Sequence, residues 1–302
     1  MHVLVTGASG FIGKYVLNAL VERGHTVRGL SRSRPEETAA WPTMEWTHGD
    51  VLQPGSLGDA MKGVHAVVHL VGIIDEKPSK GITFDAVHRK GTENVVQAAR
   101  SAGVNAFVQM SANGARPDGV SEYQTSKWHA EQTVAAAGFA HWVILRPSLV
   151  FGRPEPGQEE FCTRLASTLL RPFPVWPIFG DGKYEMQPVA VENVALAFAR
   201  AVDEPRAHGR TFCVAGPEAF AYTEILRRMA GGAGLSVKPM IRQPAALMEP
   251  LVTLFGGWAL PISIDQFRML LEGNTCDPAE YVDTFGIEPV PFTPETLSYL
   301  RG

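Results

Sequence analysis

The chain has few cysteines and no excess of basic residues. Its 302 residues include three cysteines, 27 Lys and Arg and 31 Asp and Glu, for a formal net charge of −4. Cys162, Cys213 and Cys276 lie far apart without paired histidines, so their spacing predicts neither a disulfide framework nor a metal site, and we expect buried thiols. Because Lys and Arg form no basic stripe, we expect no binding to nucleic acid.

The sequence also lacks an apolar run long enough to cross a membrane. Its most apolar stretch, residues 250–264, is short and is interrupted by Pro250, Pro261 and a pair of glycines, whereas a spanning helix needs about 20 apolar residues. No transmembrane segment is therefore expected. The N-terminus enters a strand directly, which leaves no room for a signal peptide and favours a cytoplasmic chain.

The first fourteen residues have the pattern of a dinucleotide-binding turn. Residues 2–6 predict a short buried strand, and Gly7, Gly10 and Gly13 follow at intervals of three before an apolar helix. The glycines allow a tight turn, close approach of a pyrophosphate and close packing of helix on strand, while N–H groups at the helix start favour an anion. The cofactor-binding residues predicted here are Gly7, Ser9, Gly10, Phe11, Ile12 and Gly13.

The end of the second predicted strand bears on the choice of cofactor. No acidic residue stands there to hold the adenosine ribose of NAD, whereas Ser31, Arg32 and Arg34 offer a hydroxyl and cations that suit a 2′-phosphate. We therefore expect NADP(H) to be favoured, with NAD(H) as the alternative.

Strands and helices alternate through the first half of the chain. Residues 44–48, 66–72 and 106–110 predict strands, and residues 57–62 predict a short helix. This alternation predicts an α/β fold, a Rossmann-type doubly wound parallel sheet, with a ligand crevice at the carboxyl ends of its strands. His69 lies in an apolar run and is expected in the core. The strand-end residues expected to converge at the crevice are Gly7, Arg32, Gly72 and Ser111.

Tyr123 and Lys127 lie four residues apart in a predicted helix over residues 121–137. They share a helical face that is otherwise apolar. A neighbouring ammonium stabilises phenolate over phenol and lowers the pKa of a tyrosine, so that it can exchange a proton near neutral pH. The spacing therefore predicts a catalytic pair.

Together these motifs resemble the short-chain dehydrogenase/reductase family of the extended or atypical kind, which includes sugar-nucleotide epimerases and dehydratases. The residues that carry the resemblance are Thr6-Gly7-x-x-Gly10-x-x-Gly13, Gly49-Asp50, Gly72, Gly91-Thr92-x-Asn94, Ser111, Tyr123, Lys127 and the stretch 145–152. The resemblance implies that Asp50 contacts adenine, that Lys127 binds the nicotinamide ribose and that Pro147 lies against the nicotinamide. The cofactor contacts that it implies are Asp50, Val51, Leu70, Val71, Gly72, Tyr123, Lys127 and Pro147.

The sequence departs from the family pattern at the end of the fifth predicted strand. The family places a catalytic Ser or Thr there, and the sequence leaves open whether Ser111 or Ala112 occupies that position; with Ala112, polarisation of the substrate is weakened. The interval from Ser111 to Tyr123 is shorter than in most sugar-nucleotide members, which argues against a nucleotide-sugar substrate.

Within the family, the closer likeness is to the NDUFA-nine-like branch, named for an accessory subunit of respiratory complex I. Residues 69–74, 146–152, 187–195 and 216–218 carry it. Two functions stay open. One is an NAD(P)-dependent oxidoreductase for a small carbonyl or alcohol, with Tyr123 as acid and base and Ser111 polarising the carbonyl. The other is a non-catalytic cofactor-binding subunit with a membrane-complex or quinone-related partner, peripheral to the membrane.

Of these two functions the enzyme is favoured, because a chain needing only cofactor affinity has no need of a phenol beside an ammonium.

The alternation of strands and helices stops after Gly152, where prolines interrupt the chain. We expect an NAD(P)-binding Rossmann domain over residues 1–157, supplemented by about 183–215, and a smaller C-terminal α/β lobe over residues 158–302. In this lobe, residues 159–170 predict one amphipathic helix. The apolar region 244–264 could face a quinone or a partner protein, but core is favoured because an apolar helix of a small domain is usually buried.

Overall fold

The computed structural model describes residues 1–32, 44–256 and 262–301. Arg34 and residues 257–261 therefore lie outside the described residues. The strands are β1 (His2–Thr6), β2 (Thr26–Ser31), β3 (Met44–His48), β4 (Ala66–His69), β5 (Ala106–Met110), β6 (His141–Pro147), β7 (Val150–Phe151), β8 (Trp176–Phe179), β9 (Glu185–Met186), β10 (Val189–Ala190), β11 (Arg210–Val214), β12 (Phe220–Ala221) and β13 (Met240–Gln243). The helices are α1 (Phe11–Glu22), α2 (Gly91–Ser101), α3 (Glu122–Ala136), α4 (Phe161–Leu165), α5 (Val191–Ala201), α6 (Tyr222–Gly232), α7 (Ala245–Phe255), α8 (Ile264–Glu272) and α9 (Ala279–Phe285).

Seven parallel strands of the described chain form the central sheet, in the order β11-β6-β5-β4-β1-β2-β3. The chain runs outward from β1 to β3, returns to β4 beside β1 and then continues in the opposite direction. Ligands of such sheets bind at this reversal, outside the carboxyl ends of the strands. The predicted doubly wound parallel sheet is confirmed.

Helices cover both faces of the sheet. On one face α1, α5 and α9 pack on a core that includes Val68 and Val108. On the other face α2 and α3 pack on a core that includes Val67 and Phe107. Successive strand residues point to opposite faces of the sheet. Because helices cover both faces, neighbouring residues such as Val67 and Val68 are both buried. This explains why these strands read as continuous apolar runs.

One short predicted element differs from the structure. Residues 57–62 were expected to be helical, but two 3₁₀ turns, Pro54–Ser56 and Asp59–Met61, occupy this region. Gly58 lies between them, the N–H of Met61 is shared between the carbonyl oxygens of Leu57 and Gly58 at 3.3 Å each, and Gly63 follows with a φ of 70° and ends the run before a regular α-helix forms.

The helix predicted over residues 159–170 begins later and changes its winding. Its carboxylate cap is Glu160, which accepts the N–H groups of Cys162 and Thr163 at 2.7 Å each, so α4 begins at the next residue. After Leu165 a π-helical turn, Ala166–Leu170, continues it. Local capping therefore decided the start of this helix.

A second apolar core lies in the C-terminal half of the chain. Phe151, Trp176 and Ile225 are buried in it, and it is joined near the C-terminus by Phe292. The short strand pairs β8 with β13 and β9 with β12 border this core. The proposed division of the chain into two lobes at residues 157 and 158 stays a prediction.

Helix α7 is less buried than the sequence predicts. Val252 is buried, but Leu247, Leu251 and Leu254 are 68%, 45% and 74% exposed. The expectation that this apolar helix belongs to the core is therefore wrong for one of its faces, while in the described part of the chain α7 packs on α8. Among the described residues, no helix combines the length and the apolarity needed to span a bilayer.

The expectation of three buried thiols is wrong for two of the cysteines. Cys213 in β11 and Cys276 form a disulfide, with Cα atoms 6.4 Å apart, while Cys162 is buried and free. The segment before Cys276 runs beside β9, where Asn274 pairs with Met186, and the side chain of Gln187 accepts the N–H of Cys276 and donates to the carbonyl oxygen of Gly216, just after β11. Spacing in the sequence could not show this tertiary contact.

Candidate functional site

The glycine-rich turn joins β1 to α1. Gly7 adopts a left-handed φ of 72°, and its carbonyl oxygen accepts the N–H of Gly10 at 3.0 Å. A Cβ on Gly13 would lie 2.3 Å from that carbonyl oxygen, and a Cβ on Gly7 would lie 3.1 Å from the backbone of Leu70. Both positions therefore require glycine, one for its conformation and one for close packing of α1 on β1.

The start of α1 fits a pyrophosphate. Gly10 precedes the helix without a side-chain cap, and the first turn contains no acidic residue. The first N–H groups of a helix have no partner within it and carry a partial positive charge. Ser9, Phe11 and Ile12 surround this point, with Ser9 exposed and the two apolar residues half-buried. The turn can therefore hold the anionic part of a dinucleotide.

The ends of β2 and β3 carry the residues predicted for the adenosine half of the cofactor. Ser31 ends β2 and is buried, and Arg32 follows it and is exposed. After β3, one carboxylate oxygen of Asp50 accepts the N–H of Leu52 at 2.9 Å. Val51 is buried there. These residues lie on one side of β1 in the sheet, and the catalytic candidates lie on the other side.

The side chain of Lys127 lies between the ends of β4 and β5. Its side chain is 3% exposed, and its Nζ donates to the carbonyl oxygen of Met110 at 3.3 Å. A Cβ on Gly72 would lie 2.8 Å from the same Nζ, so this glycine leaves room for the ammonium. Burial lowers the pKa of Lys127 to about 8, and the carboxylate of Glu131 partly offsets this effect. Leu70 and Val71 link Gly72 to the end of β4.

Tyr123 lies one turn before Lys127 in α3. The Nζ of Lys127 is 6.0 Å from the centroid of the Tyr123 ring, and the rings of Phe84 and His88 contact it edge-on. Burial raises the pKa of Tyr123 to about 12. The prediction that Lys127 lowers this pKa is therefore not met, because desolvation of the phenolate is the cause of the shift. At neutral pH the phenol carries its proton and can donate it.

Ser111 follows β5 and carries a buried hydroxyl. The residue is 2% exposed, and its Oγ has no hydrogen-bond partner within the described chain. Its N–H donates to the carbonyl oxygen of Leu145 at 2.7 Å, which continues the pairing of β5 with β6. Strand alternation from Phe107 puts Ser111 on the face that α3 covers and Ala112 on the other face. An unpartnered buried hydroxyl is costly, and at this edge of the sheet the Ser111 hydroxyl is available to a bound ligand.

Pro147 ends β6 at the same edge of the sheet. Its carbonyl oxygen accepts the N–H of Asn113 at 2.9 Å, and the side chain of Asn113 donates to Asn274 at 2.7 Å. The segment near the disulfide thus contacts the loop that follows Ser111.

Residues of the C-terminal half cover this edge of the sheet. Asp75, in the loop after Gly72, accepts hydrogen bonds from Arg164 at 3.2 Å and from Gln266 at 2.8 Å. Glu272 accepts the side-chain N–H of Gln124 in α3 at 2.7 Å. Helices α4 and α8 therefore close over the region between β4 and α3.

His88 is a residue of this region that the sequence reasoning missed. It lies in a π-helical turn, Asp85–Lys90, just before α2, and its two ring nitrogens bond Ile73 and Ser126. His69, by contrast, is fully buried and bonds Thr6 and Thr92, as expected of a core histidine. In the sequence, His88 is marked only by its position three residues before Gly91. Its contact with Ser126 could not be read from the sequence, because the two residues are 38 positions apart.

Three features now indicate the class of protein: the glycine turn, the parallel sheet, and the Tyr123–Lys127 pair at the carboxyl edge of that sheet. They are the features of an NAD(P)-binding protein of the short-chain dehydrogenase/reductase type. Residues 3–215 match the profile of the NAD dependent epimerase/dehydratase family, and the chain belongs to this family. The predicted family is thus confirmed.

Known proteins similar to this chain fall into several groups. It is 29% identical over 265 residues to the 2-alkyl-3-oxoalkanoate reductase of Stenotrophomonas maltophilia, covering 78% of this chain and 76% of that protein. It is 24% identical over 306 residues to the mitochondrial NADH-ubiquinone oxidoreductase 40 kDa subunit of Neurospora crassa, covering 98% and 78%. These relatives bear out the predicted likeness to reductases and to a respiratory-complex subunit.

A solved structure gives the same fold. The UDP-glucuronic acid 4-epimerase of Bacillus cereus, in complex with UDP-glucuronic acid and NAD, superimposes with a TM-score of 0.76 at 18% identity, covering 100% of this chain and 98% of that chain. The family and the reductase relative support an NAD(P)-dependent oxidoreductase or epimerase-like enzyme.

Proposed function

We propose that this protein is an oxidoreductase that interconverts a small carbonyl compound and its alcohol. The observation that carries the proposal is the phenol of Tyr123 near the ammonium of Lys127, at the strand ends where the Ser111 hydroxyl has no hydrogen-bond partner among the described residues. A bound nicotinamide cofactor would supply the hydride. Tyr123 would donate its proton to the carbonyl oxygen, Ser111 would donate a hydrogen bond to that oxygen, and Lys127 would hold the ribose hydroxyls.

Three arginines of the C-terminal half are less available to the diphosphate of a nucleotide sugar, because they pair with carboxylates. A diphosphate needs cations that are free to bind it. Arg164 pairs with Asp75, and two further arginines are paired with carboxylates. The further pairs are Arg228 with Glu224 and Arg268 with Glu249. The name of the reductase relative makes 3-oxo compounds the first candidates for a substrate screen.

NADP(H) is the cofactor that we propose over NAD(H). No acidic residue ends β2, and Arg32 stands exposed immediately after it. A guanidinium presents a planar fork of donors that suits the 2′-phosphate, and an acidic residue would suit the 2′-hydroxyl of NAD.

Replacing Tyr123 by Phe tests the catalytic role. Tyr123→Phe removes the proton donor and leaves the ring, so turnover should fall by about 10² or more while cofactor affinity stays unchanged. Steady-state kinetics and a cofactor titration measure both. The matched control is Tyr184→Phe, because the buried hydroxyl of Tyr184 lies in the second core without a hydrogen-bond partner in the described structure. Full turnover in Tyr123→Phe would show that another group is the acid.

A non-catalytic cofactor-binding subunit is the second candidate. Two observations favour it: the respiratory-complex relative matches 98% of this chain, and α7 exposes the leucines Leu247, Leu251 and Leu254 on one face. A screen of carbonyls, alcohols and quinones with NADPH distinguishes the two candidates. Absence of turnover, together with co-purification in a membrane complex, would replace the enzyme by this second function.

A further inference from the structure

His88 connects two elements that approach the same site from different sides. Its Nε2 accepts the backbone N–H of Ile73 at 3.0 Å, in the loop after Gly72. Its Nδ1 lies 2.8 Å from the hydroxyl of Ser126 in α3. The ring is 1% exposed. One imidazole therefore spans from the loop after β4 to the helix that carries Tyr123 and Lys127.

The hydrogen bonds fix which nitrogen of His88 carries the proton. Nε2 must be unprotonated, because it accepts from Ile73. Ser126 donates its own proton to the carbonyl oxygen of Tyr123 at 2.9 Å, so its hydroxyl oxygen accepts from Nδ1–H of His88. Burial and the charge of Lys127 lower the pKa of His88 to about 2. The ring is thus a neutral donor and acceptor across the physiological pH range.

The ring of His88 also shapes the surroundings of the phenol. It stacks on Phe84, with centroids 5.5 Å apart, and meets the Tyr123 ring edge-on at 5.3 Å. A Cβ on Gly72 would lie 3.5 Å from Nε2 of His88. The π-helical turn that carries His88 widens the start of α2 at this point, a feature that is frequent at functional sites.

We propose that His88 is a positioning residue that holds the loop after Gly72 and the first turns of α3 at a fixed separation, so that hydride donor and phenol meet one carbonyl. This inference rests on the proposed oxidoreductase function and adds a residue to it. His88 touches neither reacting atom; it acts through Ile73 on the cofactor side and through Ser126 on the Tyr123 side.

Two substitutions separate the two hydrogen bonds. His88→Gln keeps an amide oxygen near the position of Nε2 and retains the bond to Ile73, whereas His88→Asn keeps an amide nitrogen near Nδ1 and retains the bond to Ser126. His88→Gln should lower kcat about tenfold and leave the cofactor Kd within about twofold, and His88→Asn should raise the cofactor Kd about tenfold. A merely structural role would lower the unfolding temperature of both variants and shift kcat and Kd together.

A double-mutant cycle tests the coupling to α3. Ser126→Ala removes the same bond as His88→Gln, so the double variant should lose no more kcat than either single variant. Wild-type kcat in His88→Gln and in Ser126→Ala, or full additivity of their effects, would overturn the proposal while leaving the oxidoreductase function intact.

An activity-independent readout separates this inference from the proposed function. Hydrogen exchange should show the Ile73 amide protected in the wild type and in His88→Gln and unprotected in His88→Asn. If the wild type turns over no carbonyl, the oxidoreductase function fails, and the inference is then decided by the cofactor Kd: a rise confined to His88→Asn supports the bridge, and equal Kd values in both variants overturn it.

Discussion

At the scale of single residues, the hydroxyl of Ser111 should serve catalysis without stabilising the fold. Ser111→Ala removes a buried oxygen that has no partner in the described chain, so the free energy of unfolding should stay the same or rise. Turnover should fall about tenfold, because the carbonyl loses a hydrogen bond. Urea unfolding and kcat measure the two effects.

A matched control for this prediction is Ser148→Ala. The hydroxyl of Ser148 is also buried but donates to the carbonyl oxygen of Gln187, so its loss should cost about 1 kcal/mol of unfolding free energy. Unchanged kcat in Ser111→Ala would mean that the hydroxyl does not reach the substrate and that the position of Ala112 is the one that faces it.

The predicted preference for NADP(H) over NAD(H) depends on Arg32. Arg32→Ala should weaken NADP(H) binding roughly tenfold or more and leave NAD(H) nearly untouched, because a charge-assisted hydrogen bond contributes about 1.5 to 3 kcal/mol. Titration of both cofactors measures this. Arg23→Ala is the control of equal charge change, since Arg23 pairs with Asp203 at the opposite end of α1. Equal weakening of both cofactors by Arg32→Ala would contradict a role in binding the 2′-phosphate.

At the scale of elements, Gly13 sets how closely α1 approaches β1. In Gly13→Ala the new Cβ would lie 2.3 Å from the oxygen of Gly7 and 2.6 Å from that of Ala8. Both are backbone atoms, so the turn must open. We expect a loss of about 2 to 3 kcal/mol in unfolding free energy and loss of cofactor binding, measured by denaturant unfolding and by titration.

The control for this prediction is another glycine to alanine change. Gly58 has a φ of −59° and a ψ of −46°, and a Cβ there would meet no atom of the described residues within 4 Å. Gly58→Ala should therefore be neutral or stabilise the protein by about 0.4 to 1 kcal/mol. Equal stability of the Gly13 and Gly58 variants would refute the packing argument.

At the scale of the whole molecule, the disulfide between Cys213 and Cys276 ties the C-terminal segment to the edge of the sheet. It closes a loop across a sequence separation of 63, and a crosslink of this kind contributes about 2 to 4 kcal/mol. Cys276→Ser should lower the unfolding free energy by that amount without reductant. Dithiothreitol should lower the wild type equally and leave the variant unchanged.

Alkylation of the unfolded, unreduced wild type checks that prediction. With the bridge intact, Cys162 alone should be alkylated; alkylation of Cys213 and Cys276 as well would show that the bridge is absent. A reducing cytoplasm opens most disulfides. The cytoplasmic localisation, which stays a prediction, therefore bears on whether the bridge operates in the cell.

The sequence by itself determined the features that depend on local pattern. Gly7, Gly10 and Gly13 fix a turn through conformations and contacts of near neighbours in the chain. The continuous apolar strands determine a sheet covered on both faces, and a spacing of four residues puts Tyr123 and Lys127 on one side of a helix.

Only the tertiary structure decided the contacts between segments far apart in the chain. The bond between His88 and Ser126, the disulfide, and the place of the Lys127 ammonium against Gly72 each join residues whose separation in the sequence carries no sign of the contact. The raised pKa of Tyr123 belongs with these features, because desolvation depends on how completely other elements bury the phenol, and that burial exists only in the folded chain.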